Sequence, residues 1–168
     1  MEYYGNNNLI HLAEFSVEDV LPYRETKKGA TREYAVNEKV YSVKMASQRY
    51  HVFAESLACA CCGLVGSKMI LDINHYDFNR NGRPHFNLYA VWDDCLVLMT
   101  KDHIDPRSKG GKNELSNYQT MCCLCNSAKS DHDVNIEELR NFETVAKRIE
   151  EIKEGQKWII KHFINWYN

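Results

Sequence analysis

Six of the seven cysteines lie in two short groups, and each group contains a Cys-x-x-Cys spacing. A two-residue spacer lets one tight turn aim two sulfurs at the same point, and two such turns complete the tetrahedral thiolate shell that zinc prefers. Four thiolates leave no open coordination position for water, so we predict a structural zinc site rather than a catalytic one. The predicted ligands are Cys59, Cys62, Cys122 and Cys125.

The cysteine pattern leaves two questions open. Cys61 or Cys123 could replace a neighbour as ligand, because each lies inside one of the two groups. The interval between the groups is also far longer than the ~15–20 residues of compact zinc ribbons, so chance coincidence or a redox pair is an alternative. A disulfide framework is not expected, because the number of cysteines is odd and residues 1–8 lack the features of an export signal.

A second set of polar residues precedes and follows the second cysteine group. Asp102 and His103 are adjacent, so on a strand their side chains point to opposite faces. The carboxylate suits a hard divalent cation, and the imidazole suits proton abstraction near neutral pH. On a helix after Cys122, Asn126 and Lys129 share a face, which puts an amide oxygen beside an ammonium that can hold a phosphate. This combination is typical of metal-dependent phosphodiesterases.

These side chains need strands, a loop and a helix to position them. The predicted elements are, in chain order, strands over 68–73, 85–92, 95–100 and 117–121 and a short helix over 122–130. Asn81-Gly82 between the first two strands is a strong hairpin signal, because both residues tolerate positive φ. Pro106 and the Gly110-Gly111 pair predict a long loop between the last two strands.

This segment resembles the HNH endonucleases, whose catalytic module is the ββα-metal finger, also called the His-Me finger. The resemblance covers roughly residues 59–131 and includes the upstream Cys-x-x-Cys-Gly of the zinc-containing branch of that family. One departure is Asn126, which stands at the third signature position in place of histidine. The matching residues are Asp102-His103-Ile104, Pro106, Ser108, Gly110-Gly111, Asn117, Gln119, Cys122, Cys125-Asn126 and Lys129, with Cys59, Cys62 and Gly63 upstream.

The resemblance implies an α+β fold: a ββα-metal catalytic module with a structural four-cysteine zinc site, an antiparallel hairpin insert and a C-terminal helical segment. It implies that His103 is the general base and that Asn117 braces the loop and orients the imidazole. Asp102 and Asn126 are the implied ligands of one Mg²⁺ or Mn²⁺ ion. The implied reaction is hydrolysis of DNA, expected to be double-stranded, leaving 5′-phosphate and 3′-hydroxyl ends. The candidate phosphate contacts are Arg107, Lys109 and Lys129.

The flanking segments complete the predicted organisation. We expect an N-terminal extension of unassigned structure over 1–56, the HNH nuclease domain with its zinc site over 57–132, and C-terminal helices over 133–168 that pack on it. Within the extension, a helix is predicted over 47–54, leading into the first cysteine group.

The C-terminal helices have a recognisable start. Asn135 and Glu138 have the spacing of a capping box, and apolar residues follow at helical spacing as far as Ile152. Gly155 is expected to break or kink this helix, which restarts at Trp158. We expect the helices to pack on the catalytic module. The alternatives are an interface between two copies of the chain, a homodimer, and an arm that contacts the nucleic-acid strand.

Composition narrows the classes of function. The chain has 168 residues, 44% hydrophobic and 26% charged, which is ordinary for a globular protein. No apolar run approaches the ~18–20 residues needed to cross a bilayer, so we expect a soluble, cytoplasmic protein. The net charge of −2 excludes a chain coated in positive charge. The segment 24–51 nevertheless has seven basic residues against three acidic ones, and it could provide a local basic surface for nucleic acid.

Two other interpretations of the same residues stay open. A non-catalytic zinc module that binds nucleic acid or protein would contain the same cysteines, with Asp102-His103 a vestige of catalysis. An RNA-cleaving enzyme is the third interpretation, and cleavage assays that offer both DNA and RNA distinguish it.

Overall fold

The computed structural model describes residues 2–5, 8–78, 80 and 82–164, with the side chains of 2–4 and 156–164 outside the description. The fold is a mixed α+β arrangement, as predicted. The elements are, in chain order, β1 (Glu2–Tyr4), β2 (Leu9–Phe15), β3 (Thr31–Val36), β4 (Lys39–Lys44), α1 (Gln48–Glu55), β5 (Gly66–Asn74), α2 (His75–Phe78), β6 (His85–Trp92), β7 (Cys95–His103), β8 (Tyr118–Cys122), α3 (Cys123–Lys129), α4 (Ile136–Arg140) and α5 (Glu143–Ile164).

A six-stranded sheet forms the centre of the molecule, in the order β1-β7-β6-β5-β2, with β8 paired to β7 outside that path. The pairs β5–β6 and β6–β7 are antiparallel, which confirms the predicted strands of this region. The predicted turn residue Asn81 lies outside the described residues. Strand β7 changes partner along its length: it pairs with β6 over Cys95–Leu98 and with β8 over Met99–His103.

The segment before residue 57 contributes to this sheet. Strand β2 pairs antiparallel with β5, and β1 pairs parallel with β7. Strands β3 and β4 form a separate two-stranded sheet. Phe15, Tyr34 and Phe86 pack edge to face with ring centroids 4.8–5.4 Å apart, so one aromatic cluster joins β2, β3 and β6.

Helix α1 confirms the helix predicted before the first cysteine group. Tyr50 and Phe53 lie on its inner side and are each 1% exposed in the main core. The Tyr50 hydroxyl accepts a hydrogen bond from the backbone N–H of Phe86 at 3.1 Å, so its polar end is satisfied within the core. This contact fixes α1 against β6.

The capping box of the C-terminal region is present. The Asn135 side chain accepts from the backbone N–H of Glu138, and the Glu138 carboxylate accepts from that of Asn135, both at 2.9 Å. Leu139, Val145 and Ile152 are buried in the main core. The described apolar side of α4 and α5 therefore packs inside the molecule.

The predicted break at Gly155 is wrong, because α5 runs through it from Glu143 to Ile164. A glycine inside a helix costs only about 1 kcal/mol relative to alanine, which the neighbouring turns can offset. None of the helices in the described part of the chain combines the length and hydropathy that crossing a lipid bilayer requires.

Candidate functional site

Four cysteine thiols converge between the first cysteine turn and the start of α3. The Sγ atoms of Cys59, Cys62, Cys122 and Cys125 all lie within 4.8 Å of one another, and all four side chains are buried. These are the four cysteines of the predicted register. Cys61, although buried, and Cys123 are outside this group.

Each pair of cysteines is positioned by a local turn. In the first turn the backbone N–H of Gly63 donates to the carbonyl of Cys59 at 2.9 Å, and Gly63 has a φ of +78°, which favours glycine. In the second turn Cys122 ends β8, and its sulfur accepts from the backbone N–H of Cys125 at 3.4 Å, where α3 begins. The strand-to-helix junction therefore aims both sulfurs of the second pair at the first pair.

The donor set and its dimensions fit zinc. The sulfurs of Cys62 and Cys122 are 3.8 Å apart, and a tetrahedral shell with Zn–S bonds of about 2.3 Å requires a sulfur–sulfur separation of about 3.8 Å. Hydrogen bonds from the Cys122 and Cys125 thiols lower the pKa of Cys59 and of Cys62. Contacts within the same cluster raise the pKa of Cys122 and Cys125, so before a metal binds two of the four thiols favour the thiolate form that it needs.

Two arginines from the C-terminal helices support this cluster, and the sequence analysis did not identify them. Arg140 of α4 donates from Nε to the carbonyl of Cys61 at 2.8 Å and from Nη2 to that of Ala60 at 3.0 Å. Arg148 of α5 donates to the sulfur of Cys125 at 3.6 Å. A cationic donor is favourable beside a thiolate, so the C-terminal helices contribute to both the shape and the charge of the site.

Asp102 lies near the end of β7 and is almost completely buried. Its Oδ2 atom accepts from Gln119 Nε2 at 2.9 Å and from Lys129 Nζ at 2.8 Å. Its other oxygen, Oδ1, has no hydrogen-bond partner among the described residues. One oxygen of the carboxylate is therefore fixed and the other is available to a ligand.

Asn126 has a similar arrangement one helical turn earlier on α3. Its Nδ2 donates to the Thr100 hydroxyl at 3.0 Å, and that hydroxyl donates to the carbonyl of Met121 at 2.8 Å. This orients the amide, and Asn126 Oδ1 has no partner in the described part of the chain. Helix α3 runs alongside β7. Thr100 contacts Asn126, and two residues further along the strand Asp102 contacts Lys129, three residues further along the helix.

His103 points to the other face of β7, as the alternation of a strand requires. Its ring packs edge to face on Tyr118 with centroids 4.7 Å apart, and Nε2 is 2.9 Å from Oδ1 of Asn113. The Tyr118 hydroxyl also donates to that atom, at 3.2 Å, which supports its assignment as the amide oxygen. An amide oxygen only accepts, so Nε2 holds the proton and Nδ1 keeps its lone pair. Sequence reasoning missed Asn113, because nothing in a loop sequence indicates which amide reaches the imidazole.

Asn117 braces the loop between β7 and β8. Its Oδ1 accepts from the backbone N–H of Asp105 at 2.8 Å, and its Nδ2 donates to the carbonyls of Asp105 and Lys112 at 3.2 and 3.0 Å. The loop passes so close to itself that a Cβ at Gly111 would lie 1.8 Å from the carbonyl oxygen of Asp105. Both ends of the loop that follows His103 are therefore tied to one side chain.

The three predicted phosphate contacts differ in their surroundings. Arg107 and Lys109 are exposed on a 3-10 turn in this loop. Lys129 is 2% exposed, and besides Asp102 its ammonium donates to the backbone carbonyls of His103 and Ile104. In this structure the Lys129 ammonium is paired with a buried carboxylate, and its contact with a phosphate stays a prediction.

The cavities near this site divide the candidate residues into two groups. Asp102 and His103 line one cavity of about 290 Å³ together with Arg107 and Lys129. Asn126 lines a second cavity of about 410 Å³, further back along β7 and α3. Asp102 and His103 thus line one cavity and Asn126 another on the same strand–helix pair, although the side chains of Asp102 and His103 lie on opposite faces of β7.

A comparison with known proteins finds a family model that matches the region containing this strand–helix pair. Residues 91–132 match the family model described as HNH endonuclease. The match spans β7, the braced loop, β8 and α3, and it confirms the predicted resemblance to this family over that part of the chain. No curated protein and no solved structure matches the chain. The family defines a class of proteins that are typically nucleases.

Proposed function

We propose that the protein is a metal-dependent endonuclease that hydrolyses phosphodiester bonds of double-stranded DNA, with residues 91–132 as a ββα-metal module. The proposal is supported above all by one observation: within the matched HNH segment, Asp102 and Asn126 each use one polar atom internally and keep one oxygen available. Strand β7, the loop, β8 and α3 supply the order strand, loop, strand, helix that such a module needs.

Asp102 Oδ1 and Asn126 Oδ1 are the proposed ligands of the catalytic cation. Carboxylate and amide oxygens are hard donors, which suit Mg²⁺ or Mn²⁺ rather than the softer metal of the cysteine cluster. When bound, such a cation stabilises the negative charge that develops on the scissile phosphate and the leaving 3′ oxygen. Gln119, Lys129 and Thr100 act as positioning residues, because they hold the two ligand side chains.

His103 is the proposed general base. Asn113 accepts from Nε2, so the lone pair on Nδ1 can take the proton of the attacking water. Tyr118 packs on the ring and restricts its rotation. Attack on phosphorus with loss of the 3′ oxygen leaves a 5′ phosphate and a 3′ hydroxyl. Arg107 and Lys109 are exposed on the loop beside the cavity that Asp102 and His103 line, and they are the proposed contacts with neighbouring phosphates.

The test of this proposal is the variant His103→Ala, assayed on supercoiled plasmid DNA with Mg²⁺ or Mn²⁺. We expect the variant to retain its zinc and its melting temperature and to lose at least about a hundredfold in cleavage rate, the range typical for loss of a general base. His75→Ala is the matched control, because His75 is an exposed histidine on α2. Cleavage by His103→Ala at the rate of His75→Ala would refute the assignment.

A non-catalytic zinc module that binds nucleic acid or protein is the second candidate. The observation that favours it is the buried pair of Asp102 and Lys129, because an ammonium 2.8 Å from the carboxylate competes with a divalent cation. This candidate predicts that the parent protein binds a nucleic acid yet cleaves neither DNA nor RNA with either cation. Cleavage that stops on addition of a chelator would exclude it, and the substrate cleaved would separate a DNase from an RNase.

A further inference from the structure

A slot opens in the central sheet where β6 and β7 separate. Their ladder begins at Trp92–Cys95 and ends at the pair Tyr89–Leu98, after which β7 pairs with β8 instead. The resulting cavity has a volume of about 350 Å³, and Thr100 is the one residue of its lining that the proposed reaction uses. Its polar lining includes Arg49, His85, Asn87, Thr100 and Lys101.

Arg49 reaches this slot from the first turn of α1 and is held there by a buried network. Its Nη1 donates to Oδ1 of Asn87 at 2.5 Å, and Asn87 is 5% exposed. Nδ2 of Asn87 in turn donates to Oδ2 of Asp72 at 2.7 Å. The remaining N–H groups of the guanidinium have no acceptor among the described residues, so the side chain is fixed while most of its donors stay available.

The charge of the slot favours an anion. Arg49 and Lys101 are the charged residues of its lining, and both are positive. The nearest buried acid, Asp72, does not line the slot, and its carboxylate is occupied by hydrogen bonds from Asn87, Tyr89 and His11. The Lys101 ammonium donates to Oε1 of Gln48 at 3.2 Å and lies 3.5 Å from the centroid of the Tyr118 ring, so both cations have a defined position. A guanidinium beside an ammonium is a common arrangement for binding phosphate oxygens.

His85 adds a neutral donor on the same side. Burial, together with the charge of Arg49, lowers the pKa of His85, so its imidazole is uncharged at neutral pH. Its Nε2 is 3.3 Å from Nδ2 of Asn87. Because the amide nitrogen only donates, Nε2 accepts, and the imidazole proton is therefore on Nδ1.

The slot is next to the proposed catalytic residues. It shares Leu98 and Thr100 with the cavity lined by Asn126, and the Thr100 hydroxyl is the group that orients the Asn126 amide.

Arg49 belongs to the basic segment 24–51, which the proposed reaction does not use. We propose that this slot binds a backbone phosphate of the nucleic acid, with Arg49 as the principal donor and Lys101 beside it. The inference rests on the proposed function, since it takes the strand cleaved by the HNH domain as its ligand.

The test measures binding separately from cleavage. The full chain with its zinc and the background substitution His103→Ala is titrated with a duplex oligonucleotide over a series of salt concentrations. Adding Arg49→Gln should raise Kd about tenfold and reduce the slope of log K against log salt by about one, as expected for loss of one phosphate contact. Lys101→Gln should reduce the slope similarly, and Arg49→Lys should recover part of the affinity.

The matched control is Arg32→Gln, which removes a charge from the same basic segment on β3, where Arg32 stacks on Tyr23 at 3.4 Å. If Arg49→Gln and Lys101→Gln change Kd and slope no more than Arg32→Gln, the proposal is overturned. A second outcome also overturns it. Inorganic phosphate would raise the melting temperature of the parent but not of Arg49→Gln, while both proteins bind the duplex equally well, which would mean that the slot binds a free anion. Both outcomes are independent of whether the chain with His103 intact cleaves DNA.

Discussion

The cysteine cluster and the polar site on β7 and α3 share Cys122 as a junction, yet they are built in different ways. All four thiols of the cluster point at one another within 4.8 Å and are buried. At the polar site, Asp102 and Asn126 are each engaged by neighbouring side chains, and they line separate cavities. The fold alone brings the four thiols of the cysteine cluster together. At the polar site, the fold orients Asp102 and Asn126, but each also forms hydrogen bonds with neighbouring side chains.

The difference follows from the chemistry of the ligands. Thiolates are costly to bury without a metal, so a cluster of four buried cysteines has one obvious partner. A carboxylate and an amide have many partners inside a protein. Here the Lys129 ammonium pairs with Asp102, and the Thr100 hydroxyl accepts from Asn126. A zinc site of this kind stabilises the fold, while a site for a hard cation can exist in the fold without its ion.

The largest effect is expected from Cys59→Ser, which tests the structural role of the cluster. Removing one thiolate leaves an incomplete shell, so the bound zinc and on the order of 5 kcal/mol of folding free energy should be lost together. The measurement is zinc content alongside thermal or denaturant unfolding. Cys95→Ser, at a cysteine on β7 outside the cluster, is the control. An unchanged unfolding curve with zinc retained would show that the cluster is not a structural metal site.

Lys129→Met tests whether the polar site depends on its internal cation. The substitution leaves a buried carboxylate without its partner, so the free energy of unfolding should fall by about 3–5 kcal/mol. Added Mg²⁺ or Mn²⁺ should raise the melting temperature of this variant more than that of the parent, because Asp102 then lacks a competing ammonium. Both effects are measured by thermal unfolding with and without the cation.

The control is Lys68→Met, which breaks an ion pair of similar length, 2.7 Å to Glu14, at the surface. Exposed pairs contribute at most about 1 kcal/mol, so this variant should be nearly as stable as the parent. A Lys129→Met variant as stable as Lys68→Met, with no added response to the cation, would contradict the view that Asp102 is a poised ligand.

Local patterns in the sequence were sufficient for the elements around both sites. The alternation in 85–92 predicts β6, and the spacing of Asn135 and Glu138 predicts the capping box of α4. The repeated Cys-x-x-Cys predicts the four residues that converge. The first two signals, and each Cys-x-x-Cys by itself, lie within about ten residues, so local geometry decides them. The convergence of the two cysteine groups is not local, and it was predicted from the donor set that zinc prefers. The continuation of α5 through Gly155 shows the limit, because one glycine does not decide whether a long helix ends.

Contacts between distant segments could not be predicted in this way. Arg140 reaches the first cysteine turn from a helix about eighty residues later. Arg49 of α1 donates to Asn87 of β6, and both line the cavity where the β6–β7 ladder ends. The contact of Lys129 with Asp102 has the same origin, since it joins α3 to a strand that lies 27 residues earlier in the chain. Such contacts depend on how strands pair, which the sequence pattern of one segment does not contain.

The smallest effect is expected from Asn113→Ala, which tests how the imidazole of the polar site is oriented. Without the amide oxygen, Nε2 of His103 has no fixed acceptor, so both tautomers and a wider range of ring orientations become populated. We expect kcat for DNA cleavage to fall roughly tenfold, with KM, zinc content and melting temperature close to those of the parent, since misorientation of a catalytic group acts on the chemical step.

Tyr118→Phe should have a weaker effect of the same kind, because it removes a hydrogen bond to Asn113 but keeps the ring that packs on His103. Glu114→Gln, an exposed neighbour in the same loop, is the control. If kcat for Asn113→Ala equals that of Glu114→Gln, the imidazole is oriented by its packing on Tyr118 alone, and the polar site would then resemble the cysteine cluster in depending only on the fold.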